Sequence, residues 1–173
     1  MSKEIAREIV NEGNTQKLNY TIKNLAQAEI ELDSIELIYE VSLIKPDMLV
    51  DHFDEIASCL NSNNGKTQKF TLLIFANLAY KKWSAVWDCG DKICDIVTAG
   101  GISVLESGLL LFIEMAKYSD EKMKIEAAHC VSVVLQILPI ERLQKFTKAI
   151  TDSDIMYKEK NLVLINNRLA KSN

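Results

Sequence analysis

The sequence has few of the residues that interrupt helices: its 173 residues include only 2 prolines and 6 glycines. Proteins built from many hairpins need more of both, because their tight turns depend on these residues. Apolar residues also recur at intervals of three and four along most of the chain, which is the period of an α-helix. The sequence therefore predicts an all-α protein of about ten helices.

The sequence also lacks a long apolar run. Its longest uncharged stretch spans 14 residues, 127–140, and includes His129, Gln136 and Pro139. A membrane-spanning helix needs roughly 20 apolar residues, and the charged residues within 1–12 are unlike a secretory signal. We therefore expect one domain, residues 1–173, that is cytoplasmic and does not enter a membrane.

Cysteine is scarce, and its spacing does not suggest a metal centre. Cys59, Cys89, Cys94 and Cys130 lie within apolar patterns, which is typical of buried, reduced thiols in the cytosol. Cys89 and Cys94 are separated by four residues, whereas zinc ribbons and redox pairs usually have two. The sequence predicts four buried free thiols, no metal site and no cofactor.

No catalytic motif is evident. The two histidines, His52 and His129, have Asp51 and Cys130 as direct neighbours, but adjacent residues of a helix do not face each other. The sequence contains no Gly-x-Gly-x-x-Gly loop and no nucleophile elbow, which are the usual signatures of phosphate binding and acyl transfer. We therefore predict that the protein is not an enzyme.

Acidic charge is concentrated in the first third of the chain. Residues 1–64 contain 5 Lys/Arg and 12 Asp/Glu, a net charge of −7, whereas residues 65–119 and 120–173 carry +1 and +2. Binding of nucleic acids depends largely on cationic side chains that neutralise phosphates, so the total charge of −4 argues against it. The acidic third instead favours a partner with a basic segment.

Turn residues predict where the helices begin and end. Pro46 ends one helix, residues 61–65 form a loop, and Asp120 with its neighbours is typical of a helix start. A separate helix is predicted over 84–98, closed by Gly100-Gly101. The other predicted helices cover approximately residues 3–12, 15–31, 35–44, 47–60, 66–79, 102–117, 120–138, 139–150 and 154–170.

Segments of the chain resemble one another. Asn14-Thr15-Gln16-Lys17 leads to Asn24-Leu25-Ala26 much as Lys66-Thr67-Gln68-Lys69 leads to Asn77-Leu78-Ala79, and a third copy begins at Asp120. The offsets of 52–55 residues predict roughly three repeats of three helices. Such a unit has more apolar surface than it can bury alone, so neighbouring units must stack.

Three motifs resemble the armadillo family. Phe75-Ala76-Asn77-Leu78-Ala79 is similar to the end of the family's third helix, and residues 119–128 are similar to the start of one. Residues 96–105 are similar to its junction of first and second helices, where a left-handed glycine allows a sharp angle. The resemblance implies a right-handed α-α superhelix of the armadillo or HEAT type.

The resemblance also implies a binding surface. In armadillo proteins that bind extended peptides, asparagines of the third helix line the inner surface and hydrogen-bond the peptide backbone. Asn24 and Asn77 match those positions, and Ser132 is the aligned residue of the third copy. The family's ladder tryptophan, one turn before these positions, is missing, because Tyr20, Leu73 and Ala128 occupy those places. Alternatively, both asparagines satisfy backbone groups near helix ends.

Two tryptophans form a second candidate site. Trp83 and Trp87 are four residues apart and share one side of a helix, with Asp88 and Asp91 nearby. Either the rings pack against Tyr80 and a neighbouring helix, or they form an aromatic-acidic patch. Such a patch would bind a partner through cation–π and apolar contacts.

Three hypotheses of function remain open. The residues favour a non-catalytic interaction or scaffold module that binds a partner protein or peptide, with a basic segment as the expected contact. An alternative is an enzyme resembling the HEAT-like alkylpurine DNA glycosylases, for which Trp83, Trp87 and Asp88 are of suitable type. A third is self-association into a homo-oligomer through apolar residues.

Overall fold

The computed structural model of the chain describes residues 2–27 and 31–171. This part is all-α, with ten α-helices, three short 3-10 segments and no strand, which confirms the predicted class and number of helices. The helices are α1 Ser2–Glu12, α2 Thr15–Lys23, α3 Glu31–Ile44, α4 Phe53–Ser58, α5 Gly65–Asp88, α6 Gly90–Ala99, α7 Ile102–Tyr118, α8 Glu121–Ile137, α9 Ile140–Asp152 and α10 Lys158–Ala170. The 3-10 segments are Asn24–Ala26, Pro46–His52 and Cys59–Asn61.

Side-chain caps account for several helix starts. The Asp120 carboxylate accepts a hydrogen bond from the Met123 backbone N–H at 2.9 Å and begins α8. The Asn64 side chain accepts one from the Lys66 N–H at 2.9 Å and begins α5. These caps satisfy N–H groups that have no partner within the helix. The start signal at Asp120 is confirmed.

The predicted separate helix over 84–98 is wrong. Helix α5 continues to Asp88 through a bend at Lys82, whose φ and ψ are −118° and 16°. The break lies at Cys89, and α6 begins at Gly90. Trp83 and Trp87 therefore belong to the last turns of α5 instead of the following helix.

Other predicted boundaries also differ. The single helix predicted over 47–60 is divided into the 3-10 segment Pro46–His52, α4 and the 3-10 segment Cys59–Asn61. Helix α2 ends at Lys23 and tightens into the 3-10 turn Asn24–Ala26, a common form of helix end. The predicted helix 15–31 is therefore too long, and its residues 28–30 lie outside the described residues. The last helix begins at Lys158, four residues later than predicted, because Ser153 to Tyr157 form an irregular connection.

Gly100 is needed for space and not for a left-handed conformation. Gly100 and Gly101 have φ values of −77° and −70°, so the predicted left-handed corner is wrong. A Cβ at Gly100 would lie 2.7 Å from the Ile96 carbonyl oxygen and from the Val104 side chain. The glycine therefore allows α6 and α7 to meet closely.

Alternate helices make the main contacts of the first half. Helix α3 packs against α1 and α5, and α5 packs against α7, while the short helices α2, α4 and α6 lie beside this row. Beyond it, α8 packs against α7, and α10 packs against α8 and α9. The predicted period of three helices would favour contacts between every third helix. The main contacts of the first half join every second helix instead.

One apolar core runs along the row of long helices. Phe53 and Phe75 stack with ring centroids 4.8 Å apart, and Ile38, Leu78 and Leu109 are fully buried beside them in the same cluster. Burial of each such side chain contributes about 1.5–3 kcal/mol. Within the described residues, no helix combines the length and apolarity needed to span a membrane.

Candidate interaction surface

A groove of about 440 Å³ crosses α3, α5 and α7 on the molecular surface. Its apolar side chains include Leu43, which is 54% exposed, and Tyr118, which is 47% exposed. Exposed apolar surface of this kind commonly marks an interaction site. We call it the central groove and define it by Tyr39 and Leu43 of α3, Asn77 and Tyr80 of α5, and Leu110 and Tyr118 of α7.

The groove arises because its helices carry more apolar residues than their buried faces accommodate. In α3, Ile38 and Val41 are buried, whereas Leu43 falls on a neighbouring side of the helix. In α7, Leu109 is buried and the next residue, Leu110, is exposed. The surplus apolar side chains are therefore left on the surface that α3, α5 and α7 share.

Aromatic contacts order the groove. The rings of Tyr80 and Tyr118 meet edge to face, with centroids 6.3 Å apart, and link α5 to α7. Tyr39 packs against Phe70 with centroids 5.3 Å apart and links α3 to α5. Edge-to-face and offset arrangements are favourable for aromatic pairs. The groove thus has defined aromatic walls before any partner binds.

Asn77 is the sequence-predicted residue that lies in the groove. Its Nδ2 donates a hydrogen bond to Ser42 Oγ at 2.8 Å, and Ser42 Oγ donates to the Tyr39 carbonyl oxygen at 2.6 Å. The Asn77 Oδ1 atom forms no hydrogen bond with the described residues, and the side chain is half-buried. One end of the amide therefore supports the fold, while the other can still accept a hydrogen bond.

Asn24 is placed differently, although it was predicted to be equivalent. It lies in the 3-10 turn after α2, is buried, and accepts a hydrogen bond from Gln27 Nε2 at 3.5 Å. Ser132, aligned with both asparagines, instead lies on α8 and bonds to Asn161 of α10 at 2.7 Å. The structure therefore does not bring the three residues together in one groove.

A charged cluster lies at one end of the groove. The Asp47 carboxylate accepts hydrogen bonds from Lys81 Nζ and from the Tyr80 hydroxyl. The bonds from Lys81 and Tyr80 lower the pKa of Asp47. Partial burial, together with the bond to Asp47, raises the pKa of Tyr80 to about 12. Tyr80 is therefore a neutral hydrogen-bond donor at physiological pH.

Two further carboxylates lie on α3, on the side of the helix that carries Leu43 but outside the residues that line the groove. Glu36 and Glu40 precede Leu43 by seven and three residues, so all three share one side of the helix. Neither carboxylate forms an ion pair with the described residues, in contrast to Glu114, which accepts a bond from Lys117 Nζ at 2.5 Å. Negative charge is therefore available on the side of α3 that carries Leu43.

The predicted aromatic-acidic patch is only partly assembled. Trp87 and Asp91 line a cavity of about 210 Å³ between α5, α6, α7 and α8. Trp83 is half-buried against the core, and neither it nor the exposed Asp88 lines that cavity. Both tryptophans pack against the core, and among the described residues Tyr80 forms its aromatic ring pair with Tyr118.

The cysteines are free thiols, but they are not all buried as predicted. Cys59 is buried, Cys89 and Cys130 are half-buried, and Cys94 is exposed. Burial raises the pKa of the Cys94 thiol, and it raises that of Cys130 to about 12. The part of the chain that the structure describes contains no group of three or more His, Cys, Asp or Glu side chains suited to a metal ion.

No protein-family model, curated protein or solved structure matches this chain. Function must therefore be inferred from the chain's own surfaces.

Most of the residues that form the central groove were not predicted from the sequence. Tyr39, Leu43, Leu110 and Tyr118 look like ordinary members of apolar helices, and Ser42 looks like a neutral surface residue. A usable signal exists in α3, where apolar residues occupy more than one side of the helix at 37, 38, 41, 43 and 44. A helix with apolar residues on more than one side has to pack a second side against another surface.

Proposed function

We propose that this protein is a non-catalytic interaction module whose central groove binds a segment of a partner protein. The observation that carries the proposal is the conjunction of exposed apolar side chains and ordered aromatic walls in one groove, with the unpaired carboxylates Glu36 and Glu40 on the same helix as its Leu43. Interfaces commonly combine buried aromatic anchors with a polar rim.

The fold we infer for this module is a right-handed helical-repeat stack of the HEAT or armadillo type. The row of contacts α1–α3–α5–α7 supports it, since each long helix packs mainly against its neighbours in the row. Stacks of this kind expose extended surfaces made of successive helices. A groove shared by α3, α5 and α7 fits that arrangement.

The partner segment should combine apolar and basic side chains. Apolar side chains would pack against Leu43, Leu110 and Tyr118, while Lys or Arg would pair with Glu36 and Glu40. Asn77 Oδ1 would accept a backbone N–H from the segment. A cytoplasmic partner is the one we propose, because free thiols remain reduced in that compartment.

The charge of the chain disfavours a DNA glycosylase. Damaged-base excision requires a cationic face that neutralises DNA phosphates. The first third of the chain, which supplies α3, has a net charge of −7. The unpaired carboxylates of α3 would repel the DNA backbone.

Selection from a random peptide library displayed on phage tests the proposal. We expect enriched peptides to contain Lys or Arg together with large apolar residues. The variant Leu110→Asp should weaken their binding at least tenfold, because it places a charge among apolar contacts. Val163→Asp is the matched control, since Val163 is an exposed apolar residue of α10 outside the groove.

Two results would contradict the proposal. Peptides that bind wild type and Leu110→Asp equally well would place the interaction elsewhere. Enrichment of acidic peptides would contradict the inferred charge of the partner. Sedimentation equilibrium of the same two variants distinguishes self-association, because a dimer formed through the groove would dissociate in Leu110→Asp and persist in Val163→Asp.

A further inference from the structure

A second cavity of about 440 Å³ lies between α8 and α10, away from the helices that form the central groove. Its polar lining comes from both helices, and its apolar lining includes Val133 and Leu164. We call it the C-terminal cavity and define it by His129 and Ser132 of α8, by Tyr157 immediately before α10, and by Lys160 and Asn161 of α10.

Asn161 has a buried hydrogen-bond donor without an acceptor. Its side chain is 0% exposed, and Ser132 Oγ donates to its Oδ1 at 2.7 Å. Its Nδ2 group has no partner among the described residues. Buried N–H groups are nearly always paired, and leaving one unpaired is costly. The Asn161 Nδ2 group therefore needs a hydrogen-bond acceptor that the described residues do not supply.

The same cavity meets the N-terminus of α10. Tyr157 is the N-cap of this helix and has a left-handed conformation, with φ 63° and ψ 20°. No side chain of the described residues caps α10, and α6, α7 and α9 also begin without such a cap. Free N–H groups give a helix N-terminus partial positive charge. Strained backbone of this kind often occurs at binding sites.

Charged groups around the cavity favour an anion with a single charge. Lys160 Nζ lies 5.9 Å from the centre of the Tyr157 ring and forms no ion pair with the described residues. His129 is exposed and would add a donor. Glu126 is the one carboxylate among the lining residues. One lysine opposed by one glutamate suits a carboxylate better than a phosphate dianion.

We propose that the C-terminal cavity binds a carboxylate group attached to an apolar body. The Asn161 Nδ2 group and the N-terminus of α10 would donate hydrogen bonds to the carboxylate, and Lys160 would pair with its charge. Val133 and Leu164 would contact the apolar body. The carboxylate can come from a free organic acid or from the C-terminus of a polypeptide, because both present the same two acceptor oxygens.

Two-dimensional NMR titration of the full chain separates these sources. The probes are N-acetyl-leucine and its uncharged amide, and a hexapeptide ending in leucine with a free or an amidated C-terminus. We expect saturable shifts at the cavity residues with both acids and none with either amide. Tighter binding of the hexapeptide than of N-acetyl-leucine indicates a polypeptide terminus, and equal binding indicates a small acid.

Three substitutions test the assigned roles. Asn161→Leu keeps the side-chain size and should weaken carboxylate binding about tenfold or more, because hydrogen bonds to charged groups are strong. Its melting temperature should not fall, since the unpaired amide is removed and the Ser132 hydroxyl can donate to the Ala128 carbonyl oxygen instead. Lys160→Gln should weaken binding by up to about fivefold, and Glu126→Gln should strengthen it.

Several outcomes would overturn the proposal. One is no saturable shift with either acid at about 10 mM, close to the weak end of specific binding. Another is equal shifts with acids and amides. A third is tighter binding by Lys160→Gln together with weaker binding by Glu126→Gln. Lys160 and Glu126 are exposed, so their variants keep the test valid if Asn161→Leu fails to fold.

Discussion

Asn77 of α5 donates its side-chain amide to the Ser42 hydroxyl of α3 at a distance of 2.8 Å. The Ser42 hydroxyl in turn donates a hydrogen bond to the Tyr39 carbonyl oxygen at 2.6 Å. This relay joins two walls of the central groove and fixes the Asn77 amide in one orientation. The remaining amide oxygen is thereby preorganised to accept a hydrogen bond from a partner, which lowers the entropic cost of binding.

Asn77→Ala should lower the free energy of unfolding by about 1 kcal/mol, because one partly buried hydrogen bond is lost. Urea denaturation followed by circular dichroism measures this change. Asn166→Ala is the control, since Asn166 is an exposed residue of α10 and its removal should change stability by less than about 0.5 kcal/mol. Equal effects of the two variants would show that the relay does not stabilise the fold.

Tyr80 should titrate later than an ordinary tyrosine. Its folded pKa of about 12 exceeds the ordinary value of 10.0, so the stabilisation it provides is present below pH 10 and is lost as the pH rises toward 12. Absorbance at alkaline pH follows the tyrosines directly. Asp47→Asn should lower the pKa of Tyr80, because it removes a carboxylate charge. An unchanged titration in Asp47→Asn would contradict the role given to this pair.

Gly108 should not tolerate a larger residue. A Cβ at this position would lie 2.4 Å from Val97 Cγ2, so Gly108→Ala should destabilise the protein by about 1–3 kcal/mol through overpacking of α6 against α7. Gly90→Ala is the matched control. No atom lies within 4 Å of its Cβ position, and alanine should stabilise that helix by up to about 1 kcal/mol.

Thermal unfolding of both glycine variants checks this prediction. In the double variant Gly108→Ala, Val97→Ala, the clash is relieved, so the loss should be smaller than the sum of the single effects. A Gly108→Ala protein as stable as wild type would contradict the close packing of α6 and α7.

The thiols should differ in reactivity. Cys94 is exposed and Cys130 is half-buried, and the pKa of Cys130 is about 12. At pH 8 a disulfide reagent should therefore modify Cys94 well before Cys130, because the thiolate is the reactive form. Removal of the fast phase by Cys94→Ser would support this order. Persistence of that phase would contradict it.

Local signals in the sequence predicted much of the fold. Asp120 predicted the start of α8 because an acidic side chain can accept from free N–H groups, and Pro46 predicted the end of α3 because it cannot continue a helix. These signals depend on residues close together in sequence. They can therefore be recognised without knowledge of tertiary contacts.

Features that depend on packing were not predictable in this way. The repeated letters Asn-Leu-Ala form a 3-10 turn at Asn24–Ala26 but lie within a long helix at Asn77, since helix length is set by the surrounding contacts. Asn161 shows the same limit. It lies four residues before the buried Ile165, on the same side of the helix. A polar residue on a buried side of a helix indicates a site, but it does not identify the ligand.

Hydrogen exchange with and without a selected peptide tests the central claim most directly. Binding in the central groove predicts slower exchange in peptides covering residues 36–47, 73–80 and 110–118, with little change in α9 and α10. The protection should disappear in Leu110→Asp and remain in Val163→Asp. Protection confined to α8 and α10, or its persistence in Leu110→Asp, would contradict the groove as the binding surface.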